Sequence, residues 1–137
     1  MNSESKGIAL VTGAAARIGR TIALSLAQSG WCVAVHFGTS AAAAGEAVKE
    51  IVTGGGKAKA FQANLTNERE VTGLIPAVTK TLGPVTCLIN NASVFETDSV
   101  LSTTRETWDA HMEVNLRAPL FLARLWRTIC PTQKLPI

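Results

Sequence analysis

The run Gly7-Ile8-Ala9-Leu10-Val11-Thr12 passes without a spacer into Gly13-Ala14-Ala15-Ala16-Arg17-Ile18-Gly19, and this junction constrains the fold more than any other feature of the chain. A short, continuously apolar run rich in branched residues suits a parallel strand buried on both faces. A turn of small residues follows at once. From there Ile18, Ile22, Ala23, Leu26 and Ala27 fall on one helical face, and Gly30 is a natural stop. A buried strand, a tight turn and an amphipathic helix leave unpaired backbone amides at the helix start, where phosphate oxygens bind.

The same alternation continues downstream. Residues 31–37 read as a second buried strand, after which Ser40 caps a helix carrying Ala44, Val48, Ile51 and Val52 and ending at Gly54-Gly55-Gly56. Residues 57–63 alternate only weakly, which predicts a third strand at the sheet margin. Asn67 and Glu70 resemble a capping pair for a helix marked by Val71, Leu74, Ile75, Val78 and Leu82. Pro76 disturbs that helix. An interior proline costs about 3 kcal/mol relative to alanine, so a kink near Pro76 or an irregular first turn is expected. Residues 85–89 form a fourth strand that runs straight into Asn90-Asn91-Ala92-Ser93. A long amphipathic helix over 104–128 carries Trp108, Met112, Leu116, Leu120, Leu122 and Trp126, and the tail 129–137, with two prolines, has no period.

Strands alternating with helices predict an α/β fold: a parallel sheet in the order 3-2-1-4 with helices on both faces. A ligand then sits in the crevice at the carboxyl ends of strands one and four, where the order reverses. The 137 residues, 47% hydrophobic and 17% charged, suffice for one domain over 6–128 and leave no room for a second. The polar start Met1 to Lys6 gives no sign of a secretion signal or membrane span, so a cytoplasmic location is expected. Cys32, Cys87 and Cys130 lack metal-ligand spacing, which predicts no metal site; the first two lie in strand-like runs and read as reduced packing residues. A net charge of +3 suits an anionic small ligand, and no basic block with interleaved aromatics points to nucleic acid.

Three motifs occur in order with suitable spacing: Thr-Gly-x-x-x-Arg-x-Gly from Thr12 to Gly19, Asn-Asn-Ala-Ser from Asn90 to Ser93, and Val-Asn-Leu-Arg-Ala-Pro from Val114 to Pro119. Over roughly residues 6 to 127 the chain resembles the short-chain dehydrogenases/reductases, especially their pteridine reductase-like branch, with a Rossmann-like NAD(P)-binding domain. Most of that family has glycine where this chain has Arg17, and arginine there marks the pteridine reductase-like group. The resemblance implies that Gly13, Arg17, Ile18 and Gly19 meet the cofactor phosphates, with Arg17 also reaching toward a substrate. It further implies that Asn64 and Leu65 lie beside the adenine, that Asn91, Ala92 and Ser93 line the cofactor groove, and that Phe95 stacks the flat ring of a substrate. The family pattern has Asp where this chain has Asn64, and an amide still donates and accepts.

Cofactor choice depends on the end of the second strand, where an acid would bond the ribose 2′-hydroxyl and repel a 2′-phosphate. This chain has His36-Phe37-Gly38-Thr39-Ser40 there, with no acid, so Gly38, Thr39 and Ser40 are expected to receive a phosphate. NADP(H) is favoured over NAD(H). His36 by itself reads as a packed strand-end residue.

Asn115 is a poor helix-interior residue, and Pro119, four positions later, has no amide hydrogen for its carbonyl. In the family this asparagine belongs to a catalytic Asn-Ser-Tyr-Lys set, its carbonyl holding a water that feeds protons toward the lysine. The sequence contains no tyrosine. The expectation is therefore an incomplete, truncated Rossmann-like domain lacking the catalytic tyrosine and lysine, inactive alone, from an enzyme that reduces a pterin-like heterocycle or a small ketone. The alternative is a non-enzymatic half-domain that binds nucleotide or associates with full-length homologues. A fourth strand without its neighbour, and a helix over 104–128 whose Trp108, Phe121, Leu125 and Trp126 lack packing partners, predict marginal stability and self-association or homo-oligomerisation through that helix.

Overall fold

A computed structural model describes residues 5–129. Its strands are β1 (Ile8–Val11), β2 (Cys32–Phe37), β3 (Lys57–Gln62) and β4 (Val85–Ile89), all parallel in the order β3-β2-β1-β4. The connections are α1 (Arg17–Gln28), α2 (Ala41–Thr53) and α3 (Glu68–Leu82); after β4 come α4 (Arg105–Met112), a π-helical segment (Glu113–Arg117) and α5 (Ala118–Ile129).

The pleat of the strands decides which helices cover which face. Val11, Val33 and Val35 point to the side of α1 and α2, where they bury Ala23, Ala44, Ala47 and Ile51. Leu10 and Ala34 point the other way, onto Leu74, Ile75 and Val78 of α3 and Leu122 of α5. Between the two cores β1 is buried along its whole length. β3, at one margin, alternates exposed and partly buried positions as its weak pattern predicts. β4 forms the other margin. Its register against β1 shifts between Ile8 and Ala9, where the Thr86 hydroxyl accepts the Ile8 amide at 3.2 Å. Cys32 and Cys87 are free thiols, and burial pushes both up from the ordinary thiol pKa. Ile129, expected to begin the irregular tail, closes α5, while 130–137, with Cys130, lie outside the described residues, among which no helix is long and apolar enough to cross a membrane.

The structure departs from the sequence expectations in three places. α3 runs from Glu68 to Leu82 without interruption, with Pro76 inside it on its exposed face. At its start the Asn67 side chain accepts the amides of Arg69 and Glu70, but Glu70 does not return the favour: its carboxylate takes the Asn64 amide at 2.6 Å. The expected single helix over 104–128 is bulged, with the Ala118 amide donating to the Glu113 carbonyl, five residues back. Pro119 follows the bulge directly and cannot donate to Asn115, so the widened turn falls where the regular ladder is already broken.

The third correction concerns packing. Phe121, Leu125 and Trp126 do not lack partners: α5 lies against α3 and β4, all three join the core on that side, and the Trp126 indole N–H donates to the Val85 carbonyl at 2.8 Å. The local helical pattern showed an apolar face without showing what it met. Trp108 stays half-exposed, together with Met112, Leu116 and Leu120.

Candidate functional site

The carboxyl ends of the strands open into a groove of about 980 Å³. Lining it are Gly13, Arg17, Ile18 and Gly19 from the first turn, Gly38, Thr39 and Ser40 after β2, Asn64 and Leu65 after β3, and Asn91, Ala92 and Ser93 after β4. Phe95 and Asn115 are set back from the lining, while their neighbours Val94 and Val114 reach it. Among the described residues no group of three or more His, Cys, Asp or Glu gathers as metal ligands would.

The first turn is built by close approach. Gly13 has φ +63°, and a β-carbon there would meet the backbone of Ala92 at 2.9 Å. A β-carbon on Gly19 would overlap the Gly13 carbonyl and the Asn91 side-chain amide. Ala16 occupies the N-cap of α1 and makes no side-chain cap, and no acid sits in the first turn, so the helix amides and the positive end of the helix are open to the groove. Arg17 takes φ +49°, the left-handed region that favours glycine. The arginine therefore stands in a conformation that explains why glycine is usual there.

Beneath the turn is a largely buried polar lattice. Thr12 is 1% exposed, and its hydroxyl accepts the amides of Asn91 and Ala92, each at 3.0 Å. The Asn91 side chain returns the contact, donating to the carbonyls of Thr12 at 2.9 Å and Gly13 at 3.2 Å. His36, 2% exposed, accepts the Gly13 amide at Nδ1 (3.0 Å) and faces the Ala63 carbonyl at Nε2 (2.9 Å). β1, β2, β3 and β4 are thus tied together at the floor of the groove.

The outer floor is more open. Ser40 occupies the N-cap of α2, yet its hydroxyl makes no capping bond, contrary to the expected cap. Gln62 donates to the Gly38 carbonyl at 2.9 Å, and the Asn64 side chain accepts both the amide and the hydroxyl of Thr66. His36 was read only as packing, Gln62 carried no motif, and Glu70 was read only as half of a capping pair. Their partners lie on other segments, and the only local signal was Glu70 as a capping acid.

The far rim is the loop after β4. The Asn115 side chain pairs with Val94 twice, accepting its amide at 2.8 Å and donating to its carbonyl at 2.9 Å, and the Asn90 side chain donates to the Pro119 carbonyl at 3.3 Å. His111 accepts the Glu96 amide at 3.1 Å and meets the Phe95 ring edge-on, with centroids 6.4 Å apart. Phe95 itself is 85% exposed. Farther along, the hydroxyls of Ser102 and Thr107 hold the Asp98 carboxyl down to a pKa of about 2.

Comparison with known proteins agrees with this geometry. The family model described as short chain dehydrogenase matches residues 7–130. A 3-oxoacyl-[acyl-carrier-protein] reductase of Synechocystis sp. is 38% identical over 116 residues, covering 85% of this chain and 47% of that protein. The crystal structure of the FolM alternative dihydrofolate reductase 1 from Brucella canis, complexed with NADP, superimposes with a TM-score of 0.87 at 36% identity, over 93% of this chain and 51% of that one. The landomycin C-6 ketoreductase LanV, with bound NADP and rabelomycin, gives a TM-score of 0.84 at 34% identity, over 91% and 54%. The chain spans about half the length of these relatives. A match along nearly its whole length, over the same turn, sheet order and groove, makes the chain a member of the short-chain dehydrogenase family.

Proposed function

We propose that these residues form the NADP(H)-binding part of a reductase acting on a carbonyl or imine, with a pterin-like flat heterocycle or a small ketone as substrate class. The observation that carries this reading is the end of β2. Gly38, Thr39 and Ser40 present an uncharged helix start to the groove, with a serine hydroxyl not spent on capping, where an NAD-binding site would place an acid. Among the described residues the one acid lining the groove, Glu70, is engaged by the Asn64 amide. The glycine cradle fits a pyrophosphate, since a side chain at Gly13 or Gly19 would close it. The NADP-bound relatives support the choice of cofactor, one being an alternative dihydrofolate reductase of Brucella and the other the ketoreductase LanV.

When bound, NADP(H) supplies the hydride. The chain's own part is to seat the phosphates on the turn beside Arg17, to flank the adenine with Asn64 and Leu65, to line the groove with Asn91, Ala92 and Ser93, and to offer Phe95 to a flat substrate ring. Asn115 keeps its position for the proton path by its clamp on Val94. A tyrosine would donate the proton, and the 137 residues contain none. The chain alone is therefore expected to bind NADPH without oxidising it in the presence of dihydropteridines or quinones; turnover that disappears on Asn115→Ala would overturn this. Fluorescence titration should find NADPH bound about tenfold tighter than NADH, the worth of one or two charge-assisted hydrogen bonds. Equal or reversed affinities would remove the NADP(H) assignment.

A second reading rests on a different observation. Trp108, Met112, Leu116 and Leu120 recur every four residues and stay exposed along the helix after the loop, and β4 is a sheet margin. A second copy of the chain, or a longer homologue, would cover this stripe. Sedimentation showing only monomer would dispose of that reading.

A further inference from the structure

His36 shares the sheet face of Ala34, on the side covered by α3 and α5, and its ring lies between two segments of the groove. A carbonyl oxygen only accepts, so the contact with Ala63 places the imidazole proton on Nε2. Nδ1 is then the lone-pair nitrogen, and it takes the Gly13 amide. The His36 backbone carbonyl also accepts the Ala14 amide at 2.9 Å. One residue of β2 thus holds two successive amides of the turn, one with its ring and one with its main chain, and spans to the end of β3.

We propose that His36 is a positioning residue for the phosphate turn, and that the turn stays formed only while the imidazole is neutral. It rests on the reading of the groove as an NADP(H) site for its consequence in binding, but the coupling of ring and turn belongs to the chain itself. A second proton on Nδ1 would set an N–H against the Gly13 N–H, and either the ring or the turn must then move. Burial opposes that proton and lowers the ring's pKa, with the Ala63 carbonyl acting in the opposite sense. The residues bonded to His36, Gly13 and Ala14 of the turn and Ala63 after β3, and its strand partner Phe61, do not ionise. The charged side chains of the groove are Arg17, at the turn, and Glu70 of α3, held by Asn64. Farther out, Glu68 of α3 is paired with Arg117 of the π-helical segment.

Two substitutions separate the two ring contacts. Asparagine places a carbonyl oxygen where Nδ1 stands and has no proton to gain near neutrality; glutamine reaches toward the Nε2 position and leaves the Gly13 amide without its acceptor. Nitrogen NMR of the 137-residue chain without cofactor should show Nε2 protonated and Nδ1 bare. The Gly13 and Ala14 amide signals should move with the ring's own titration, and lose that movement in His36→Asn. A protonated Nδ1, or turn amides indifferent to the ring, would overturn the proposal whether or not cofactor binds. Titration with acid-stable NADP⁺ should show about a tenfold loss of affinity in His36→Gln against about threefold in His36→Asn, the difference being one buried donor left unpaired. One pH unit below the midpoint of the ring's own NMR titration, the native chain should have lost about tenfold more affinity than His36→Asn, as a histidine switch requires. Equal losses in the two variants, or parallel pH profiles, would reduce His36 to packing. A native chain that shows the coupled NMR titration but binds no NADP⁺ at any pH would instead overturn the NADP(H) reading and uphold the coupling of His36 to the turn.

Discussion

The two rims of the groove are held in different ways. The turn from Thr12 to Gly19 rests on a lattice with a buried centre: Thr12 and His36 are 1% and 2% exposed, and Thr12, Gly13, His36 and Asn91 are each bonded across to another segment. The loop from Ser93 to Thr104 is held by side chains of the helix that follows, through Asn115 and His111, while Phe95 is 85% exposed and Val100 and Leu101 are 98% exposed. Low dielectric makes a bond in the first rim stronger and its loss more costly. The second rim carries apolar side chains that nothing among the described residues covers. One side is preorganised by the sheet, and the other is positioned but left open.

Mutations should expose this contrast, beginning with the turn. Gly19→Val drives a side chain into the Gly13 carbonyl and the Asn91 amide, and is expected to cost about 3 kcal/mol or more in stability and to abolish NADP⁺ binding. Thermal unfolding and a binding titration check this, and a variant that melts near the native temperature would mean the lattice is looser than its distances imply. Thr12→Val keeps the shape of the side chain but strands the Asn91 and Ala92 amides, at a cost of about 2 kcal/mol in urea unfolding.

Acid should also act on the first rim. The His36 pKa is lowered in the folded chain, so the unfolded chain takes up the proton first. The stabilisation is present above the ordinary histidine pKa and is lost as pH falls from there toward the lowered folded value. Urea midpoints measured through that window should fall more steeply for the native chain than for His36→Asn.

The second rim should respond less. Asn115→Ala removes two bonds to Val94 in an exposed setting, for about 1 kcal/mol, and should speed amide exchange at Val94 and Glu96. Phe95→Ala should change stability by less than about 0.5 kcal/mol, because the ring is already in water. A cost well above that would show a covered ring and would erase the difference between the rims.

How far the sequence anticipates these rims follows the same division between local and distant causes. Branched apolar runs at Ile8–Val11 and Cys32–Phe37, each followed by a turn and a helical period, were enough to order the sheet. The small residues of the turn and the missing acid near Thr39 were legible because their physics is confined to a few successive positions. The partners of His36, Glu70 and Trp126 were not, since Gly13, Asn64 and Val85 lie 23, 6 and 41 residues away and no periodicity encodes such pairings. The widened helix turn was half-legible: Pro119 announced a missing bond, but no local pattern distinguished a kink from the widened turn that the structure shows.

Arg17 adds an energetic dimension to the turn. Its φ of +49° costs a side-chain-bearing residue about 1 kcal/mol, a strain glycine escapes. Arg17→Gly should therefore relieve the backbone while removing the one cation that lines the groove among the described residues. Selection for thermal stability and selection for ligand capture would thus pull this codon in opposite directions, and a library screened each way would show which pressure the position answers to.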